Sequence, residues 1–368
     1  MSMNFNLTPM LVIWETTQAC DLACAHCRAS AQPQRNAGEL STEQAKELLN
    51  EVARFGHPSP LMVFTGGDPL KRPDIFELMA YSASLGLRTN ISPSATPLLT
   101  PQAVRRFKEC GLARMAVSVD GPDAETHDSF RGVAGSFDRA MLALREAQSI
   151  GLETQIQTTI TKRNRHKIDA MAEMVESVGG RMWSLFSLVV TGRALAGDDL
   201  TPEEYEHVFE SLYQVSLRAP YDVKTTEAMH YRRYVAQRLK ENPHAYSSSR
   251  GMMYRTAGVS DGKGFVFVSH TGDICPSGFL PITAGNVLHD SLVEVYRNSS
   301  LFRSLRDMDL REGKCGRCEY VNICGGSRSR AYALTGNYLA QDPRCTWEPA
   351  PRKDRECQSC AGCGCESN

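Results

Sequence analysis

Between residues 11 and 190, short apolar runs alternate with stretches whose apolar positions recur every three or four residues, the pattern of successive parallel βα units. Six strands are predicted: Leu11 to Glu15, Leu61 to Phe64, Leu87 to Ser92, Arg114 to Val119, Thr154 to Ile160 and Met182 to Val190, with helices between them. The first helix should open on Ser41, with Gln44 completing a capping box and Ala45, Leu48, Leu49 and Val52 forming its apolar stripe. Pro73 and Pro101 stand where first helical turns should lie, and Gly111 follows Cys110 where a helix should stop. Six such units can curl into an open partial barrel or lie as a doubly wound sheet. Either way, ligand sites fall at the strand C-termini.

Residues 201–246 read as helical, opening with Thr201, Pro202, Glu203 and Glu204 as cap, first-turn proline and acidic first turn. Serine and glycine then dominate 247–264, followed by a hairpin-like GFVFVSHTGDIC, a cysteine-rich region and a polar tail. The expected division is a core barrel over 1–200, a helical linker over 201–250, a cysteine-rich domain over 251–348 and a tail over 349–368.

With 368 residues and 42% hydrophobic content, the chain can bury a substantial core. A formal charge of −1 supplies no global basic field, and no segment approaches 18 uninterrupted apolar residues. A cytoplasmic protein is expected, with no nucleic-acid or membrane partner. The first residues, MSMNFNLTPM, lack the charged and apolar regions of an export signal. Thirteen cysteines change the picture, because three lie between positions 20 and 27 and eight between 315 and 365. Clustering of that kind in a long chain without an export signal points to metal ligands rather than to a disulfide scaffold.

Cys20, Cys24 and Cys27 form a C-x3-C-x2-C loop just after the first strand. Three thiolates can hold three irons of a four-iron cluster and leave the fourth open for a ligand. A zinc loop is the plainer alternative, but it wants a fourth ligand, and His26 is poorly placed between two ligating cysteines. After the second strand, Thr65, Gly66, Gly67, Asp68 and Pro69 put two glycines and an acid at a neighbouring strand end, suited to an amino group. At the end of the fourth strand, Ser118 and Asp120 lie in VSVDG, which also reads as a simple Asp-Gly turn.

Together these motifs resemble the radical S-adenosylmethionine (SAM) superfamily over nearly all of residues 10–348. The resemblance implies a partial (β/α)6 TIM-like barrel in which a [4Fe–4S] cluster on Cys20, Cys24 and Cys27 binds SAM. One electron then releases methionine and a 5′-deoxyadenosyl radical, which abstracts hydrogen from a substrate. It further implies that Gly66, Gly67 and Asp68 meet the SAM amino group, that His26 stands near the adenine, and that Ser118 and Asp120 meet the carboxylate or ribose. An electron donor such as flavodoxin or ferredoxin is implied as partner.

The C-terminal block, Cys315, Cys318 and Cys324 in C-x2-C-x5-C with Cys345 beyond, is a closed four-thiolate set. It resembles the SPASM extension, an iron–sulfur domain that commonly carries two auxiliary clusters. Ser277, Ser327 and Glu227 stand where its further cysteines are usual, which implies one auxiliary [4Fe–4S] cluster, with Cys275 either a displaced ligand or a buried thiol. Cys357, Cys360, Cys363 and Cys365 make the tail a candidate for a further metal. Segments including HDSFRGVAGSFDRA, VVTGRALAG and TTEAMHYRR resemble the alternative haem biosynthesis branch, whose substrates are carboxylate-bearing iron porphyrinoids. Arg193, His230, Tyr231, Arg232, Arg233, Tyr254 and Arg255 are the candidate carboxylate partners. Two other readings stand beside this one. Modification of a ribosomal peptide is disfavoured by the roughly ten residues preceding the first strand, too few for a peptide-binding domain. A non-catalytic iron–sulfur electron carrier does not explain the Gly-Gly-Asp-Pro motif.

Overall fold

In the computed structural model, residues 3–242 and 258–350 are described. All six predicted βα units are present. The strands are β1 (Leu11–Glu15), β2 (Leu61–Thr65), β3 (Thr89–Ile91), β4 (Arg114–Ser118), β5 (Thr154–Ile160) and β6 (Met182–Ser187). They pair in parallel, each with the next. Ser41 and Gln44 form the expected reciprocal cap on the helix Thr42–Ala53, and Thr201 with Glu204 caps Pro202–Arg218 in the same way.

The stretch read as wholly helical over 201–246 contains a seventh strand, β7 (Asp222–Thr226), parallel to β6. Its sequence, DVKTT, has one apolar residue, so hydrophobic patterning could not reveal it. At the opposite end of the sheet β8 (Phe265–Val268) pairs in parallel with β1, and β9 (Asp273–Cys275) and β10 (Gly285–Asn286) follow antiparallel. The order is β10-β9-β8-β1-β2-β3-β4-β5-β6-β7. Residues beyond the expected boundary at 250 therefore extend the same sheet, alongside the strand that leads into the cysteine loop.

The strands carry two unlike faces. Val12, Trp14, Met62, Phe64, Met115, Val117, Ile156 and Trp183 are all at most 1% exposed and belong to one core cluster with the helices. The alternate residues line a cavity of about 520 Å³: Leu11 and Ile13, Leu61 and Val63, Ala116 and Ser118, Gln155 and Gln157, Lys224 and Thr226. A filled barrel stacks bulky branched side chains in layers here. Glutamine, threonine and lysine on the inner face of β5 and β7 leave room for a ligand instead. Among the described residues no helix is long and apolar enough to cross a membrane.

Candidate active site

The loop following β1 presents its three thiols to the cavity, and its shape is set by distant residues. Ala23 N–H donates to Arg131 O at 3.1 Å and Ala25 N–H to Phe130 O at 3.3 Å, which docks the loop on the end of the helix Ala124–Arg131. The Arg193 guanidinium donates from Nε to Cys24 O and from Nη1 to Ala31 O, each at 3.0 Å, and its backbone N–H reaches Cys27 O. Each sulfur then has a donor behind it: Leu22 N–H at 3.4 Å from Cys20 Sγ, Ala31 N–H at 3.4 Å from Cys27 Sγ, and Arg131 Nη1 at 3.7 Å from Cys24 Sγ. Donors of this kind favour thiolates, and burial otherwise pushes the Cys20 thiol up. No fourth cysteine lines the cavity among the described residues. That donor set fits a cluster held at three corners.

Gly66 and Gly67 lie where β2 ends under the root of this loop. A Cβ at Gly66 would stand 2.4 Å from Thr17 O, one at Gly67 2.4 Å from Ala19 O, and Gly66 has φ +153°. Both glycines line the cavity, as do His26 and Ser118. His26 packs on Phe130, ring centroids 4.3 Å apart, and burial with the nearby Arg131 charge drives its pKa well below the ordinary value, so it is a neutral ring.

The two acids expected beside SAM are placed differently. Asp68 is fully buried behind the wall: Oδ2 accepts from Thr96 Oγ1 at 2.6 Å, and Oδ1 accepts from Leu70 N–H at 3.2 Å and Ser94 N–H at 3.4 Å. Burial raises its pKa to about 6. Through these hydrogen bonds it braces the loop that follows β3. Asp120 is also fully buried, with Oδ1 accepting from Thr159 N–H at 2.8 Å and Oδ2 2.5 Å from Arg131 Nη2. It therefore holds the arginine that faces Cys24, and neither acid lines the cavity.

Ser94, unremarked in the sequence, ties this wall together. Its hydroxyl donates to Gly67 O at 2.7 Å and lies 3.6 Å from Cys20 Sγ. Arg131 was missed as well, since an arginine ending a helix carries no motif. For the inner faces a signal existed: TQIQTTI places polar Gln155, Gln157 and Thr159 at every second position, where a strand buried on both faces would carry apolar residues.

Most of the candidate carboxylate partners lie elsewhere. His230 and Arg233 border the C-terminal thiols, Arg232 donates to Val259 O at 2.7 Å, Tyr231 is fully buried in the core cluster, and none of the four lines the large cavity. Arg193 does line it, with Nη2 buried and unpartnered. Tyr254, Arg255 and the tail cysteines Cys357, Cys360, Cys363 and Cys365 lie outside the described residues. The cations found on the cavity wall are Arg28, Arg88, Arg114, Arg131, Arg193 and Lys224, against one carboxylate, Glu227.

Cys315, Cys318, Cys324 and Cys345 line one cleft beyond the barrel. Asp342 N–H donates to Cys315 Sγ at 3.3 Å, Tyr320 N–H to Cys318 Sγ and Gly326 N–H to Cys324 Sγ at 3.4 Å. Among the described residues no three His, Cys, Asp or Glu side chains converge on a single-ion site; the thiols stand around clefts instead. Where a second auxiliary cluster would be expected, Ser327 Oγ donates to Glu227 Oε2, and Ser277 Oγ accepts from Phe279 N–H at 3.1 Å. Glu227 is 1% exposed with φ +57°, and burial together with Asp261 raises its pKa well above the carboxylate range. Cys275 is a buried thiol on β9, pushed up to about 11 by burial.

Residues 14–175 match the radical SAM superfamily. The chain is 41% identical over 351 residues to an AdoMet-dependent heme synthase of Oleidesulfovibrio alaskensis, covering 94% of this chain and 90% of that one. An AdoMet-dependent heme synthase of Methanosarcina barkeri is 39% identical over 345 residues, with 94% and 98% covered. In fold it is similar to the crystal structure of Streptococcus suis SuiB bound to S-adenosylmethionine, with TM-score 0.70 at 17% identity over 92% of this chain and 78% of that one. The chain belongs to the radical SAM superfamily, and it is an enzyme dependent on a [4Fe–4S] cluster and SAM.

Proposed function

We propose that this enzyme acts on an iron tetrapyrrole and removes carboxylate from its propionate side chains. The observation that carries the reading is the surplus of cations on the cavity wall: Arg88, Arg193 and Lys224 make no ion pair among the described residues, beside Arg28, Arg114 and Arg131, which pair with Glu15, Glu153 and Asp120. Such a cavity favours a substrate bearing several carboxylates. The heme synthases above, matched along most of their length, make the same substrate class the leading one.

Cys20, Cys24 and Cys27 would hold the SAM-binding cluster, and Cys315, Cys318, Cys324 and Cys345 a single auxiliary one. When bound, the first cluster supplies one electron to SAM and so a 5′-deoxyadenosyl radical. The chain's own residues set where that chemistry occurs. Arg193 and Arg131 fix the thiol loop, Gly66, Gly67 and Ser118 leave space along the strand ends, and His26 offers an uncharged aromatic face. The apolar patch of Phe186, Phe267 and Phe279 gives a macrocycle a surface to lie on. A flavodoxin or ferredoxin would supply the reducing electron.

The test is anaerobic reconstitution with SAM, a reductant and iron coproporphyrin III. The expected products are 5′-deoxyadenosine, carbon dioxide and a porphyrin with vinyl groups in place of propionates, the one electron released as each carboxylate leaves passing to a one-electron acceptor added to the mixture. Formation of 5′-deoxyadenosine with the porphyrin unchanged would overturn the substrate while leaving the radical chemistry. In that case the next substrate to try is a peptide.

A further inference from the structure

The cavity has two ends with different chemistry. The rim, at the strand C-termini, carries the thiols, the glycines and His26. The foot is lined by Arg88 and Arg114 at the starts of β3 and β4 and by Asn90 and Gln155 within β3 and β5, and Lys224, at the middle of β7, lines the same cavity near enough to Arg114 for the two charges to repel. From Arg114 to Ser118 along β4 the separation is about 13 Å at ~3.3 Å per residue, so a ligand at the rim leaves the foot vacant for something else.

Charge at the foot is unbalanced. Arg114 pairs with Glu153 at 2.8 Å, outside the cavity, and its Nη1 lies 3.8 Å from Met182 Sδ. Lys224 projects from β7 into the cavity with no acidic partner among the described residues. Burial, together with repulsion from Arg114 and Arg232, lowers its pKa to about 8, so it remains largely cationic near neutrality. Holding an uncompensated ammonium inside a barrel costs stability. Asn90 and Gln155, each 8% exposed, add amide donors around the same space.

We infer that the foot of the barrel is a second anion site, in which Lys224 with Arg88, Arg114, Asn90 and Gln155 takes a carboxylate of the substrate that is not the one reacting. This rests on the tetrapyrrole reading above and deepens it: a macrocycle with several propionates is gripped at the foot by one while another is presented at the rim. Lys224 is then a substrate-binding residue that touches neither SAM nor the cluster. It sets which side chain faces the rim, and a substrate lacking the distal carboxylate loses its anchor.

The experiment compares the reconstituted holoenzyme with its Lys224→Met variant, which removes the charge at similar volume. Without ligand the variant should melt slightly higher, because a partly buried cation with no ion-pair partner among the described residues has gone. Iron coproporphyrin III, followed by its Soret band under anaerobic conditions, should bind the variant roughly tenfold or more weakly. Its tetramethyl ester should bind both proteins alike, and SAM binding should be unchanged. Lys224→Arg should recover most of the affinity. Equal binding of the tetracarboxylate to the wild type and the Met variant would overturn the anion site and leave the substrate standing.

A second probe separates the two ideas. Benzene tetracarboxylate, a polycarboxylate with no macrocycle, should raise the melting temperature of the wild type more than that of Lys224→Met. If the wild type ignores the porphyrin yet shows this shift, the tetrapyrrole reading falls and the anion site stands. If neither probe distinguishes the two proteins, the inference is wrong. Inorganic phosphate giving the same Lys224-dependent shift at equal concentration would make the foot a general oxyanion site and overturn its assignment to carboxylate.

Discussion

Replacing Asp120 by asparagine isolates the contribution of one buried pair behind Cys24. Asp120 is fully buried and contacts Arg131 Nη2 at 2.5 Å; the arginine is itself 12% exposed, and Nη1 faces the Cys24 sulfur. Burial raises the aspartate pKa even with Arg131 beside it, so the pair as a whole is a weak stabiliser. Breaking it is another matter. Asparagine carries no charge and turns an N–H2 toward either Arg131 or the Thr159 amide, leaving a cation uncompensated in the interior. Removing one partner of such a pair costs about 3–5 kcal/mol. An unfolding entropy of ~2.1 cal/mol/K per residue over 368 residues gives on the order of 0.8 kcal/mol/K, so the melting temperature should fall by about 4–6 °C. Anaerobic scanning calorimetry of the reconstituted protein measures this directly. The double variant Asp120→Leu with Arg131→Met should recover much of the loss, because both charges leave together. A single variant within about 1 °C of wild type, or a double variant less stable than the single one, would refute the reasoning.

Four further outcomes are expected. Cys24→Ala should abolish 5′-deoxyadenosine formation while iron analysis still finds the C-terminal cluster; retained SAM cleavage would remove Cys24 from the site. Truncation after residue 350 should leave iron for two four-iron clusters, and a count near three would mean that Ser277, Ser327 and Glu227 do not mark an absent site. Glu227 has a raised folded pKa, so in the window above the unfolded value of about 4.5 the native state keeps a proton that the unfolded chain has lost. Stability there falls as pH rises, and Glu227→Gln should show a shallower decline in urea titrations as pH is raised from about 4.5; parallel slopes over that rise would contradict a raised Glu227 pKa. Gly67→Ala puts a Cβ 2.4 Å from Ala19 O, so it should lower both cluster content and melting temperature, and a variant indistinguishable from wild type would show that the loop has slack.

How much was legible depended on what each residue announces about itself. The βα alternation and the two helix caps could be read because apolar spacing and capping chemistry are local properties. Cys20, Cys24, Cys27, Gly66 and Gly67 could be read because their spacing is short and they follow strands. Asp68 and Asp120 show the limit: sequence placed each at a strand end, but whether such a carboxylate turns inward or is captured by Thr96 or Arg131 depends on residues 11 to 28 positions away. Arg232 and Arg233 looked like free cations until the structure gave them Val259 O and Glu206 as partners. Lys224 went unnoticed because β7 lacks the apolar pattern by which strands are recognised.

One feature of the sheet bears on engineering. Because β8 lies against β1, the chain after residue 258 supplies the neighbour on which the thiol-bearing loop's own strand rests. The C-terminal region is thus not a detachable module: exchanging it between relatives replaces a wall of the reaction chamber too. Chimaeras joined just before the outer cysteines, keeping the native Phe265–Val268 strand, should fold where those joined near 250 fail, and swaps meant to change only electron delivery will alter the shape of the substrate space unless that strand stays.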